Sequence, residues 1–285
     1  MNLPFEIDLK NKVAVITGAG GILCGGFAKA LAQCGAKVAL LDLNKEAADK
    51  VAGEINSAGG CAISIGTNVL EVESLENARK EVNEKLGACD ILLNGAGGNN
   101  PKGTTSKDYL FKEDLKNKEE GIKTFFDLDP KGIEFVFNLN FLGTLLPTQV
   151  FVKDMIDKED TTIINISSMN AFTPLTRIPA YSGAKAAVSN FTQWLSVHLS
   201  KVGVRVNAIA PGFFLTNQNR ALLVKEDGSY TERAQKIINA TPMERYGEVE
   251  ELTGTLLWLV NNKASGFVNG VVIPVDGGFS AYSGV

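Results

Sequence analysis

Seven short apolar runs recur along the chain, and each but the last is followed by a stretch with helical spacing. The runs are KVAVIT (12–17), KVALLDL (37–43), CAISIGTNV (61–69), CDILLNGAGG (89–98), TTIINISS (161–168), VRVNAIAPG (204–212) and GVVIPVDGG (270–278). Their continuous apolar character fits strands buried on both faces, the pattern of a parallel sheet. Between them lie helical segments such as NKEAADKVAGEINSAGG and EVESLENARKEVNEKLG. The alternation predicts an α/β fold, a doubly wound seven-stranded parallel sheet with helices on both faces. No linker or low-complexity segment interrupts the 285 residues, so a single domain is expected.

Two stretches depart from the alternation. Residues 99–132 form a long polar insertion rich in Lys, Asp and Glu. It follows a strand's carboxyl end, where open α/β sheets bind ligands, and loops of such length are usually functional or disordered. Residues 213–243 form a second excursion and a candidate lid over the same crevice.

The bulk chemistry excludes several classes. A net charge of -4 without clustered cations gives no nucleic-acid footprint. With one histidine and four cysteines, none in a C-x-x-C, no metal site is expected. Free thiols and a polar start, MNLPFEIDLKNK, point to a reducing, cytoplasmic compartment. No run of about 18 apolar residues is seen, so no membrane span is expected.

Chemistry concentrates between Ser168 and Lys185. Tyr181 and Lys185 are four apart and share one face if a helix runs through YSGAKAAVSNFTQWLSVHLS. A free phenol has a pKa of about 10, and a nearby ammonium is expected to lower it. Tyr181 then serves as general acid/base for a carbonyl/alcohol pair, with Ser168 bonding the same oxygen. The plainer alternative is a helix-surface pair.

The first strand runs into Thr17-Gly18-Ala19-Gly20-Gly21-Ile22-Leu23 and then a helix. Glycines let the backbone approach a pyrophosphate, and a helix N-terminus attracts it. Asp42 ends the second strand, where a carboxylate accepts from ribose hydroxyls and repels a 2′-phosphate. Leu43 follows, and no arginine is near, so NAD is expected rather than NADP. Asp42 could instead cap the next helix, as could Asn44. Asn68-Val69 and Asn94-Gly95-Ala96-Gly97 end the third and fourth runs, positioned for adenine and ribose or for simple turn chemistry.

Together these motifs resemble the short-chain dehydrogenase/reductase family, over about Leu9 to Gly278. The resemblance implies a Rossmann-type sheet, a nicotinamide cofactor and a homotetramer. It implies a catalytic tetrad of Asn140, Ser168, Tyr181 and Lys185. Asn140 would hold a water relaying protons to Lys185, and Lys185 would also bind the nicotinamide ribose. Pro211, Gly212 and Thr216 would contact the nicotinamide amide. The chain departs from the family pattern at Ile22 and Cys24, where glycines are usual, and at Asn68, where aspartate is usual. A cofactor-binding regulator without catalysis would have no chemical need of all four tetrad groups.

Segments GAGGNNPKGTT (95–105), SMNAFTPLT (168–176) and the ending DGGFSAYSGV resemble bacterial fructuronate reductases (D-mannonate oxidoreductases) within the family. That implies a sugar-acid substrate, with other polyol or keto-acid reductases such as gluconate 5-dehydrogenases sharing much of the pattern. A polyol needs many polar partners and a carboxylate needs a cation. The substrate candidates are accordingly Ser168, Asn170 and Tyr181, with Arg177, Lys102 and Arg220 as cations. The apolar tail FSAYSGV is expected to pack on a neighbouring subunit.

Overall fold

Alternate residues of the first strand serve opposite faces of the sheet, and both faces are covered. The computed structural model describes residues 6–116, 121–215 and 223–284. Strand β1 (Val13–Thr17) is buried at every position. Val13 and Val15 join one apolar layer, while Ala14 and Ile16 join the other. The first layer is filled from helices α3 (Val72–Lys85), α6 (Gly143–Phe151) and α7 (Pro179–His198). The second is filled from α1 (Ile22–Gln33), α2 (Lys45–Ser57) and α9 (Val249–Val260).

The sheet has seven parallel strands in the order β3-β2-β1-β4-β5-β6-β7. The remaining strands are β2 (Lys37–Asp42), β3 (Cys61–Gly66), β4 (Ile91–Asn94), β5 (Thr162–Ile166), β6 (Arg205–Pro211) and β7 (Val272–Val275). The doubly wound single-domain fold is therefore the one the alternation predicts. Strand order reverses between β1 and β4, where such sheets open a ligand crevice at their carboxyl ends. Thr17 there pairs with Asn94 and Leu41.

Two strands stop short of the apolar runs that define them. β3 ends at Gly66, and the Asn68 N–H turns aside to Ser74 Oγ at 3.0 Å. β5 ends at Ile166, so Ser168 sits beyond the sheet on a turn of its own. Both residues are thus presented by loops.

The apolar segment 130–154 is longer than one regular helix. It comprises α5 (Pro130–Phe137), a π-turn (Asn138–Leu142) and α6. By length and composition alone this segment could cross a membrane, a criterion that the core helix of a globular fold also meets. Here it lies against α3 and α7. Thr144 and Thr148 each donate to the carbonyl four residues back, at 2.8 and 2.7 Å.

The insertion holds the short helix α4 (Lys112–Lys116) and tight turns at Pro101–Gly103 and Phe125–Asp127. Its two ends meet: the Asp129 N–H donates to the Lys102 carbonyl at 3.1 Å. Further in, the Ser106 N–H donates to the Lys123 carbonyl at 2.9 Å. The candidate lid contains α8 (Glu232–Asn239) and a bridge between Val224 and Tyr230. A last short helix, α10 (Asn262–Ser265), precedes β7. Thr216 and Arg220 lie outside the described residues. The tail partly folds back on its own chain, with Thr173 Oγ1 donating to the Ser280 carbonyl at 3.2 Å and Phe279 edge-on to Phe213.

Candidate active site

Tyr181 stands in the first turn of α7, which proline starts at Pro179. Lys185 follows one turn later, and its Nζ lies 5.7 Å from the Tyr181 ring centre. Lys185 is buried, and its ammonium donates to the Ile166 carbonyl at 2.8 Å. Burial lowers its pKa from 10.5 to about 8. Burial also pushes the Tyr181 phenol up, while a bond from the Ser168 side lowers it by less. The expectation that Lys185 depresses the phenol is therefore not met in the protein alone. The ammonium is aimed at the Ile166 carbonyl, and burial of the phenol decides the direction of its shift.

The two serines after β5 have separate tasks. Ser167 donates to the Lys185 carbonyl at 3.1 Å and shares a bond with Ser189 Oγ. Ser168 is the one beside Tyr181, and its Oγ accepts from the Asn170 N–H at 3.3 Å. Asn170 is itself 4 % exposed, and its Oδ1 has no hydrogen-bond partner among the described residues. A buried amide oxygen in that condition favours a ligand that brings a donor.

Asn140 sits at the middle of the π-turn and is fully buried. Its Nδ2 donates to the Gly98 and Val136 carbonyls, both at 2.7 Å, and its Oδ1 accepts from the Gly98 N–H at 3.2 Å. The side chain thus braces the loop after β4 against the helix. The Asn140 backbone carbonyl accepts from Thr144 Oγ1 at 2.8 Å. A methyl at Gly97 would lie 2.7 Å from Asn140 Oδ1 and 3.1 Å from Lys185 Nζ. Gly97 therefore lets these two polar groups close around one point.

The glycine turn is built for close approach. Gly18 has φ +67 and lies so near Ala96 that a Cβ would be 2.9 Å from its backbone. The Gly20 N–H donates to Asp42 Oδ2 at 2.9 Å, and Asn44 N–H donates to Oδ1 at 2.8 Å. Asn44, not Asp42, caps α2 through the Ala47 N–H. Each Asp42 oxygen retains a lone pair for a ribose hydroxyl. Helix α1 begins at Ile22 with Gly21 as its cap, no side-chain cap bond and no acidic residue in its first turn. The N–H groups of Ile22 and Leu23 belong to that first turn, which lacks intrahelical partners. The donor set and cradle fit a dinucleotide pyrophosphate.

Cys24 replaces a usual glycine, and the space comes from across the crevice. A Cβ at Gly95 would meet Cys24 Sγ at 2.1 Å. Burial pushes the thiol up to about 12, so it acts as packing. Gly95→Ala should destabilise the protein by about 1–3 kcal/mol from overpacking. Cys24→Ala added to it should recover a good part of that loss in urea unfolding. Strictly additive losses would mean the two side chains are not competing for one space.

The other named residues fall around this crevice in different ways. Asn68 Oδ1 accepts from the Leu70 N–H at 3.1 Å and its Nδ2 donates to Glu71, so turn chemistry already uses its amide. Val69 is buried near Gly143, and Leu43 is exposed beside Asp42. The Asn94 side chain points away from the crevice, donating to Thr148 Oγ1 and Asn165 Oδ1, both at 2.9 Å. The Gly95 and Ala96 N–H groups bond Thr17 Oγ1 at 3.1 and 3.2 Å, holding the β4 loop to β1. Pro211 ends β6, and Gly212 passes Asp276 so closely that a Cβ would be 2.6 Å from its Cα.

Neither described substrate cation is unpaired. Lys102 lies 3.8 Å from Asp129, and Arg177 Nε donates to Asp108 Oδ1 at 2.6 Å. Asp108 was not singled out in the sequence, where it is one acid among many in a polar insertion.

Comparison with known proteins agrees with this architecture. A profile described as short chain dehydrogenase matches residues 12–227. An uncharacterized oxidoreductase of Haemophilus influenzae is 63% identical over 285 residues, covering 100% of this chain and 99% of the relative. A Haemophilus crystal structure with bound NAD, provisionally assigned as a D-mannonate oxidoreductase, shares 62% identity and a TM-score of 0.94, with 100% of both chains covered. A Burkholderia cenocepacia gluconate 5-dehydrogenase, solved with NADP and tartrate, shares 28% identity and a TM-score of 0.81, covering 98% of this chain and 99% of that one. The chain belongs to the short chain dehydrogenase family.

Proposed function

We propose that this oxidoreductase is an NAD-dependent reductase of a sugar acid, converting D-fructuronate to D-mannonate. The observation that carries the substrate class is Asn170. It is a buried amide beside Ser168 whose oxygen lacks a partner among the described residues, suited to a substrate hydroxyl. The fork of Arg177, close in sequence to Tyr181, supplies a cation for the carboxylate. For the cofactor, Asp42 at the end of β2 and the absence of lysine or arginine from residues 17–28 support NAD.

NADH, when bound, supplies the hydride for the ketone carbon. Tyr181 donates its phenolic proton to the oxygen that becomes the alcohol, and Ser168 holds that oxygen in place. The raised phenol suits this direction, because Tyr181 stays protonated at neutral pH and is ready as an acid. Alcohol oxidation needs the phenolate, so its rate should climb with pH where reduction does not. Lys185 Nζ and the Asn140 side-chain amide stand around Gly97, and the proton is replaced from the Lys185 side.

The test is cofactor oxidation followed with D-fructuronate, 5-keto-D-gluconate and D-tagaturonate, using NADH and NADPH in parallel. The expected result is a kcat/KM for D-fructuronate with NADH about tenfold or more above every other combination. A preference for 5-keto-D-gluconate would instead assign the enzyme to the gluconate 5-dehydrogenase reaction.

A further inference from the structure

The insertion reaches the segment preceding the catalytic helix through one side chain. Asp108 Oδ1 accepts from Arg177 Nε at 2.6 Å and from Thr176 Oγ1 at 3.1 Å. A backbone bond runs alongside, from the Thr105 N–H to the Arg177 carbonyl at 3.0 Å. The insertion therefore fixes both the main chain and the side chain of Arg177. The Arg177 side chain is still 49% exposed. Among the described residues only its Nε edge is bonded, which leaves its end-on pair of nitrogens for an incoming carboxylate. That pair is the part of a guanidinium that matches a carboxylate in bidentate fashion.

We propose that Asp108 is a positioning residue for substrate specificity: it holds Arg177 by its Nε edge so that the outer fork receives the substrate carboxylate. The proposal rests on the sugar-acid reading above and gives the insertion a defined task. A free arginine samples many rotamers, and fixing it before the substrate arrives reduces the ordering that binding requires. Asp108 also neutralises much of the arginine's charge at long range. The fork therefore selects by geometry at contact more than by attracting anions in general. The carboxyl of Asp108 is held below its ordinary range by the Arg177 bond, so the pair stays charged across neutral pH.

The test compares Asp108→Ala, Asp108→Glu, Arg177→Ala and the Asp108→Ala/Arg177→Ala double variant, varying D-fructuronate at saturating NADH and then NADH at saturating D-fructuronate. Asp108→Ala should raise KM for D-fructuronate about tenfold while kcat and KM for NADH change by no more than about twofold. Asp108→Glu should recover part of that loss. In the Arg177→Ala background, removing Asp108 should add nothing further, since it acts only through the arginine. The proposal fails if KM is unmoved by Asp108→Ala. It also fails if kcat and NADH affinity fall together with substrate affinity, which marks a structural role, or if the two losses simply add. A wild-type enzyme that reduces no sugar acid would overturn the substrate reading first. A wild-type enzyme that reduces the sugar acid, with variants that do not separate KM from kcat, would overturn only the role of Asp108.

Discussion

Tyr181→Phe is expected to lower kcat for ketone reduction by about 10³-fold while leaving NADH binding within about twofold of wild type. The substitution removes one hydroxyl and keeps the ring, which packs with Val136, Ala180 and Ala184. Among the described residues Tyr181 is the phenol beside Ser168 and Lys185, so its loss removes the proposed proton donor. Stopped-flow reduction and NADH fluorescence titration check the two halves separately. Turnover surviving within about tenfold would show that another group donates the proton. The wild-type pH profile provides an independent arm. With the phenol pushed above its ordinary value by burial, reduction should stay flat through neutral pH, and oxidation of the alcohol should rise into the alkaline range.

Lys185→Met is expected to abolish most of the activity and yet make the unliganded protein more stable at neutral pH. Burial lowers the folded-state pKa of Lys185 from 10.5 to about 8, so the unfolded chain binds this proton more tightly than the folded one. Stability from this group therefore rises with pH between about 8 and 10.5, and below about 8 the full cost of the buried ammonium is felt. That cost is about 3 kcal/mol, reduced in the variant by the lost bond to the Ile166 carbonyl. Methionine has nearly the same length and places no charge there. Melting temperatures of both proteins across pH 7 to 10 decide the matter. The gap should be widest at the acid end of that range and close toward the alkaline end. A constant gap would mean that the ammonium is not destabilising. The buried ammonium of Lys185 is thus kept at an energetic cost to the folded protein.

The sheet was legible because buried parallel strands have to be short, apolar and punctuated, and runs such as KVAVIT and TTIINISS have little else to become. The Tyr181–Lys185 spacing was legible for the same reason, since helix geometry fixes what lies four residues apart. What lay beyond reading depends on partners distant in sequence. The Asn94 side chain looked like crevice chemistry, yet it closes a buried chain with Asn165 and Thr192 across three elements. Cys24 looked like a departure from a glycine pattern, and only the position of Gly95 shows how it is accommodated. The π-turn around Asn140 leaves no periodic signature in NFLG. The ion pair of Asp108 with Arg177 spans 69 residues, and nothing in a stretch rich in both charges marks which acid meets which base.

The meeting of the insertion's two ends has a consequence for how such an enzyme can be remade. The chain leaves the common scaffold near Lys102 and rejoins it at Asp129, where the two backbones are already hydrogen-bonded. None of the seven strands runs through the segment between, which is tied to the rest of the chain by the bonds of Thr105 and Asp108 to Thr176 and Arg177. On the proposed role of Asp108, a transplant of this segment between relatives should move substrate selection with it and leave hydride transfer unchanged. Divergence of substrate range within such a lineage can then proceed by trading one closed module, much as interchangeable heads are fitted to one handle.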